Sequence, residues 1–376
     1  MTDLGQILPL WHELESTGVD YVLATIVEVE GSSYRKPGAH MLLAQDGRRA
    51  GTISGGCLEA EVARRCWWLT SSGPVVERYS TQEDDGDHPF GSGCGGVVYL
   101  LLERRETAHA MLTAIEKAFR ARLPVAVATL LEGSRIGARA ILEPSGDAVS
   151  DNIEDGGLLL DLATLSLNER KSIEQTIPVA GVPTRAWASY SAARPGLWIF
   201  SAGDDAKPLL AMAQQLGWFV AVADGRAHLA TRDRFPTADE VFTLPIFDLP
   251  DAAPGLLRLR PTDAAVVMTH SFDQDSRILA SLESLEFPPS YLGVLGPQRR
   301  TRELLVKAAH LLGLSTTTES IERRLRALHA PTGLDLGGEA PAAVALSILA
   351  EIQQVFAAAT AQPLHEVRGE KPAATL

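Results

Sequence analysis

The stretch LWIFSAGDDAKPLLAMAQQLGWFVAVADGR, residues 197–226, decides the fold. An apolar run of strand length, 197–202, enters a turn at Gly203, continues as an amphipathic segment and returns to a second apolar run that ends in Asp224, 21 residues beyond the glycine. Strand, glycine turn, helix and strand in that order outline the first βαβ unit of a Rossmann fold. Measured against the pattern G-x-G-x-x-G/A, Gly203 lets backbone approach a phosphate and Ala206 allows close packing of helix on strand, while Ser201 replaces the first glycine. Asp204 and Asp205 open the helix, where carboxylates complement the dipole or serve as caps but repel a pyrophosphate on the same amides. Asp224 with Arg226 either binds a ribose and a nearby phosphate or forms an ion pair on a solvated strand end.

Downstream, short apolar strands at 241–244, 264–270 and 291–296 alternate with amphipathic segments, which predicts a parallel sheet with helices on both faces. His270 falls at the carboxyl end of its strand, the side on which open α/β sheets bind ligands. Asp273 and Asp275 follow it as helix caps or ligand contacts. GPQRRTR, 296–302, opens another helix, and there Arg299 and Arg300 either fork onto an anionic phosphate or make a solvated basic turn. In HAPTGLD, 329–335, Pro and Gly are turn formers with no generic functional meaning. Val344, Ile348 and Ile352 repeat every four residues and place one face of a last helix, about 340–356, on a core.

Upstream the pattern is mixed. Strands are expected at 21–30, 39–44, 97–103, 124–132 and within GARAILEP, with helices after Cys57, at about 107–121 and near 157–178. The fold class is therefore α/β: a mixed α+β domain over 1–191, then a Rossmann-like, doubly wound parallel-sheet domain over 192–362, with a tail at 363–376 read as disordered. Two glycine turns in the first half carry cysteines. In TISGGCLE, Gly55 and Gly56 precede Cys57 at the start of a helix, where the dipole favours a thiolate. Glu59 in the first turn either orients a ligand amine or answers the dipole. In GSGCGG, Cys94 is followed by Gly95 and Gly96 just before a strand, so this loop too can approach a ligand closely, or its glycines only shape turns. Cys66, in step with Leu58, Val62 and Leu69, reads as core. The Arg35-Lys36-Pro37-Gly38 turn is either a phosphate receiver or a solvated basic loop.

The remaining properties bound the function. Three cysteines, an odd number without a C-x-x-C pair, argue against a disulfide framework or structural zinc and fit reduced thiols in a cytoplasm. A net charge of -13 opposes binding to nucleic acid or an anionic membrane, and no apolar run reaches the length of a membrane span.

Taken together, GSSYRKPGAHMLL, GTISGGCLEAEV and GSGCGG, followed by the 197–226 stretch, VVMTHSFDQD, YLGVLGPQRRTREL and LHAPTGLDLGGEAPAAVALSILAEI, resemble the XdhC/CoxI family of xanthine dehydrogenase accessory proteins from about residue 21 to 356. Ser201 departs from the glycine, and Asp204-Asp205 from the Gly-His continuation, that the resemblance leads one to expect. The resemblance implies a cytoplasmic maturation factor that binds molybdenum cofactor (molybdopterin), holds it while a cysteine desulfurase installs its terminal sulfur, and delivers it to a molybdenum hydroxylase of the xanthine, carbon monoxide or aldehyde dehydrogenase type. It makes Cys57 and Cys94 the expected contacts to molybdenum or its sulfur, in a pocket shaped by Gly55, Gly56, Gly95 and Gly96. Gly203, Asp224, Arg299 and Arg300 would then grip the pterin phosphate or a nucleotide. A homodimer and no turnover of its own are also expected. The competing expectation is an NAD(P)-dependent oxidoreductase with His270 as acid or base.

Overall fold

Among the described residues the β-strands group into three five-stranded sheets, each joined by its own hydrogen-bonded ladders. The structure, a computed structural model, describes residues 3–56, 58–80, 96–142, 148–150 and 156–367. It divides into two compact units, Met1–Arg194 and Pro195–Leu376.

In the first unit, α1 (Leu4–Thr17) precedes β1 (Tyr21–Glu30), β2 (His40–Ala44), β3 (Arg49–Gly51), α2 (Glu59–Leu69), β4 (Val75–Ser80), β5 (Val97–Arg104) and α3 (Arg105–Ala121). Then come β6 (Val125–Leu130), β7 (Arg139–Leu142), β8 (Ala148–Ser150), α4 (Gly156–Glu169), β9 (Ile173–Val179) and β10 (Val182–Ser191). One antiparallel sheet runs β3-β2-β1-β5-β4 and another β8-β7-β6-β10-β9. The helix expected near 157–178 ends at Glu169. Residues 173–179 instead form β9, hairpinned to β10 through Ala180 and Gly181, both at positive φ.

Alternation along β1 splits the core. Tyr21 and Leu23 face α1 and α3, sharing a cluster with Val125, Val127 and Ile141 of the second sheet. Val22, Ala24 and Ile26 face Leu58, Val62 and Cys66 at and along α2. Cys66 is thus the core residue its phase implies, and burial pushes its thiol up to about 11. Val27, Leu101, Leu131 and Trp187 join the two sheets. Beside them Arg139 and Glu103 form a buried ion pair.

His40 is enclosed at the start of β2, its Nδ1 3.0 Å from Thr25 Oγ1. Burial above all, with a smaller push from the Arg35 charge, takes its imidazole down from 6.5 to about 4. The unfolded chain therefore binds the proton more readily, so this contribution to stability is complete above about pH 6.5 and drains away as pH falls toward 4. We expect the loss to approach about 1.4 kcal/mol per pH unit in that window. Thermal melts of the protein and of His40→Gln check it: a variant with the same slope as wild type would contradict it.

The second unit contains β11 (Gly196–Phe200), α5 (Ala206–Gln215), β12 (Phe219–Asp224), β13 (Glu240–Thr243), α6 (Ala253–Leu256), β14 (Ala264–Val267), α7 (Phe272–Glu283), β15 (Tyr291–Val294), α8 (Gln298–Leu311), α9 (Thr318–Arg326), α10 (Pro341–Ala357) and α11 (Leu364–Val367). Its sheet is wholly parallel in the order β13-β12-β11-β14-β15. This is the Rossmann order, with its switch point between β11 and β14. Burial on both faces explains the unbroken apolar strands: α5 and α10 cover one face, while Ile278 and Leu282 of α7 join the cluster on the other.

Glu351 on α10 ties the end of this unit together. It accepts hydrogen bonds from the Tyr291 hydroxyl and the Gly333 amide, both at 2.6 Å, and lies 2.9 Å from His329 Nδ1. Burial works against ionisation there, but those donors outweigh it and hold the carboxyl below its ordinary value. HAPTGLD is therefore a docking turn for α10. Leu364–Val367 form a short helix within the stretch expected to be a disordered tail; 368–376 lie outside the described residues. Among the described residues no helix is long and apolar enough to cross a membrane.

Candidate functional site

Strand register gathers the motif-bearing loops of the first unit. Thr25 pairs with His40, Met41 with Gly51, Glu30 with Val97, and Ser80 with Val97. The chain after β1, before β2, after β3, after β4 and before β5 therefore emerges at one end of the same sheet. GSSYRKPGA, TISGGCLE and the segment between Ser80 and Gly96 all start or finish there. Cys57, Cys94 and Gly95 themselves lie outside the described residues.

The described frame around Cys57 is closely tied. Glu59, buried at the first position of α2, receives the amides of Ser54 at 2.8 Å and Ile53 at 3.2 Å on Oε1. Its oxygens also meet the hydroxyls of Thr52 and Ser54. Ser54 Oγ in turn accepts the amides of Gly56 and Leu58, each at 3.1 Å. Burial favours protonation of Glu59, yet these donors prevail and keep the carboxyl below its ordinary range. Gly55 and Gly56 are exposed, and a Cβ on either would meet open space. Gly56 needs its glycine for a φ of 115°. Gly96 is constrained differently: a Cβ there would lie 2.1 Å from the Ser32 carbonyl oxygen. Arg35 of the basic turn pairs with Asp3.

In the second unit, Gly203, Asp224, Arg226 and His270 come together at the carboxyl edge of the sheet, but their polar groups already engage one another. Asp224 is fully buried. Its Oδ2 accepts from the Ala202 amide at 2.8 Å, and Arg226 holds it through its amide at 2.8 Å, Nε at 2.9 Å and guanidinium end at 2.7 Å. Burial alone would raise this carboxyl; the bonds from Arg226 and Ala202 lower it below the ordinary aspartate value. The Gly203 amide donates to Ser201 Oγ at 3.1 Å, and Asp205 folds back so that its Oδ1 lies 2.6 Å from where a Cβ on Gly203 would stand. Asp205 Oδ2 then meets His270 Nε2 at 2.6 Å across the switch point, with His270 at a φ of 63°.

This arrangement does not fit a dinucleotide pyrophosphate. The amides of Ala202 and Gly203 have internal acceptors, and a carboxylate lies over the glycine turn. Asp204 is mostly exposed and pairs with Lys207 and Arg234, which lower its carboxyl in that order. Arg300 binds Asp275 Oδ2 at 2.6 Å, and Asp275 Oδ1 holds the amide and hydroxyl of Thr269, so both support the end of β14. Asp273 pairs with Arg277 and Lys307. Arg299 is not part of the group; it is exposed and paired with Glu303 at 3.2 Å. Sequence reasoning missed Thr52, Ser54, Ser32 and Gln274, whose Oε1 accepts from Gly225 at 3.2 Å. Hydroxyls close ahead of an acid at a helix start were the available signal for the first two. Among the described residues no group of three or more His, Cys, Asp or Glu side chains could hold a metal ion.

Residues 197–352 match the family described as XdhC Rossmann domain, and residues 14–80 match the XdhC and CoxI family. The chain is 31% identical over 336 residues to a Bacillus subtilis (strain 168) protein described as a probable xanthine dehydrogenase subunit, covering 89% of this chain and 92% of that one. It is 34% identical over 116 residues to the Escherichia coli (strain K12) molybdenum cofactor insertion chaperone PaoD, covering 31% of this chain and 36% of that one. The crystal structure of a xanthine dehydrogenase from Bacillus halodurans is similar with a TM-score of 0.71 and 28% identity, over 98% of this chain and 100% of that chain.

Proposed function

Because the chain belongs to the XdhC and CoxI family, we propose that it is an accessory protein that binds molybdenum cofactor as cargo, supports its sulfuration and delivers it to a xanthine dehydrogenase-type hydroxylase. One observation carries this reading: the loops containing Cys57 and Cys94 leave from the same end of one sheet, together with the basic 31–38 turn. Thiolates are the ligand chemistry suited to a soft metal or a sulfur-bearing centre, and glycine turns let backbone approach a bulky anionic cargo. The likeness to PaoD, described as a molybdenum cofactor insertion chaperone, supports the same direction.

In this reading a cysteine desulfurase supplies the sulfur, the client is a molybdenum hydroxylase, and the accessory protein acts as a homodimer in the cytoplasm. The carboxyl-terminal crevice, with its internally bonded glycine turn, does not act as a nicotinamide site. The test is anaerobic equilibrium binding of molybdenum cofactor to the wild type, Cys57→Ala and Cys94→Ala, with molybdenum quantified on the recovered protein. Near-stoichiometric retention by the wild type and a loss of about tenfold or more in affinity in at least one variant are expected. Folded wild type that retains no molybdenum overturns the proposal. NADH titration of the same preparation is expected to give no saturable signal; saturation would instead favour an oxidoreductase using His270.

A further inference from the structure

Two kinds of acceptor surround the glycine turn of the second unit, and they differ in freedom. Ser201 and Asp224 are fully buried and hold the amides of Gly203 and Ala202, so they fix the shape of the turn from beneath. Asp205 acts from the exposed side. It is only partly buried, its Oδ1 covers Gly203, and its Oδ2 meets Nε2 of the exposed His270 at 2.6 Å. These two residues belong to the loops after β11 and β14, which part at the switch point where open α/β sheets take ligands. His270 reaches across from a φ of 63°, a conformation that a residue with a β-carbon keeps only when its surroundings hold it there.

The cations around the pair suit an anion. Arg226 reaches the Thr269 carbonyl beside His270, and Arg234 reaches the Ala202 carbonyl beside Gly203, each at 3.4 Å. Asp205 thus presents a carboxylate over a glycine turn, bonded to an imidazole, with a guanidinium beside each of the two loops. A ligand phosphate at such a turn would meet the same groups.

We propose that the Asp205–His270 pair is a strap that closes this crevice against phosphate-bearing ligands, with the Asp205 carboxylate standing in the place a pyrophosphate group takes when the pair parts. Ser201 and Asp224 stay on their amides in the opened state, so contact with the ligand falls to Arg226, Arg234 and the freed imidazole. The inference goes beyond the cargo reading and does not depend on it.

The experiment uses the full chain as wild type, Asp205→Ala, His270→Gly and Asp204→Ala, each titrated calorimetrically at physiological salt with inorganic pyrophosphate and separately with ADP. Asp204→Ala is the control, because it removes the same charge one residue away and leaves the strap in place. Asp205→Ala should bind pyrophosphate about tenfold or more tighter than the wild type. His270→Gly, whose glycine suits the positive φ, keeps the carboxylate but frees it, and should gain about threefold. Both should speed hydrogen exchange of the amides at 202–206 by about tenfold, while Asp204→Ala should stay within about twofold of the wild type in both readouts.

An Asp205→Ala protein whose affinity and exchange match the wild type overturns the proposal. So do equal gains in Asp204→Ala and Asp205→Ala, since net charge alone would then explain the effect. A gain for ADP that exceeds the gain for pyrophosphate supports the strap and identifies a nucleotide as the source of the phosphate; equal gains support it with the phosphates alone as the recognised group. If Asp205→Ala does not fold, His270→Gly decides the matter with the same readouts. Failure of the functional reading is distinguishable, because no molybdenum cofactor enters these titrations.

Discussion

Replacing Asp224 with alanine should lower the stability of the second unit by about 3 kcal/mol, the lower end of the range for breaking a buried charged pair. The carboxylate is fully buried and satisfies the Ala202 amide as well as three groups of Arg226. Its removal leaves that amide and a guanidinium without their acceptor at the crowded end of β12. The lower figure applies because the Arg226 side chain, 35% exposed, can turn toward water. Asp224→Asn should be nearly as damaging, since its amide nitrogen would present a donor to donors. Asp204→Ala is the control: that side chain is 80% exposed, and its loss should not measurably change the transition. Urea unfolding followed by circular dichroism decides the question; a change below about 1 kcal/mol for Asp224→Ala would contradict the geometry. The folded-state carboxyl lies below its unfolded value, so the stabilisation is present at neutral pH and fades below about pH 4.

A comparable loss, about 2–4 kcal/mol, is expected for Gly96→Ala. The added methyl would lie 2.1 Å from the Ser32 carbonyl oxygen and 3.0 Å from that of Glu30, and neither neighbour is a flexible side chain. The strand end must open or the 31–38 turn must shift. Gly55→Ala provides the contrast, because its Cβ meets nothing within 4 Å. If the proposed function holds, Gly96→Ala should also reduce molybdenum retention while both cysteines remain. Equal unfolding midpoints for the two alanine variants would refute the close approach.

The parallel sheet was legible because its inner strands β11, β12 and β14 are buried on both faces and read as apolar runs, as in LWIF and FVAVAD. Residues 173–179 were not, since of the strand IEQTIPV only Ile177 is buried and the polar run Glu174-Gln175-Thr176 hides the alternation. The Ala-Gly turn at 180–181 was the better clue, as two positive φ values suit a tight hairpin. The glycine turns and the strand-end residues Asp224 and His270 could be found from position alone. Their partners could not: Asp205 meets His270 only because sheet order sets β11 beside β14, and Glu59 reads as a dipole acid until the 52–54 donors are seen folded onto it. Arg299 and Arg300, neighbours in sequence, take opposite roles because only Arg300 reaches the buried Asp275.

The bonds converging on Glu351 also set an order of events during synthesis. Tyr291, His329 and Gly333 have their shared acceptor only once α10 has been made, and that helix also completes the cover of one face of the sheet. On the ribosome, the nascent second unit thus carries an open apolar face until residues near 352 clear the exit tunnel, whereas the first unit has its described strands complete by Ser191. A chain stalled before α10 would expose that face to chaperones and proteases, so premature termination in this stretch should be cleared at the level of protein turnover.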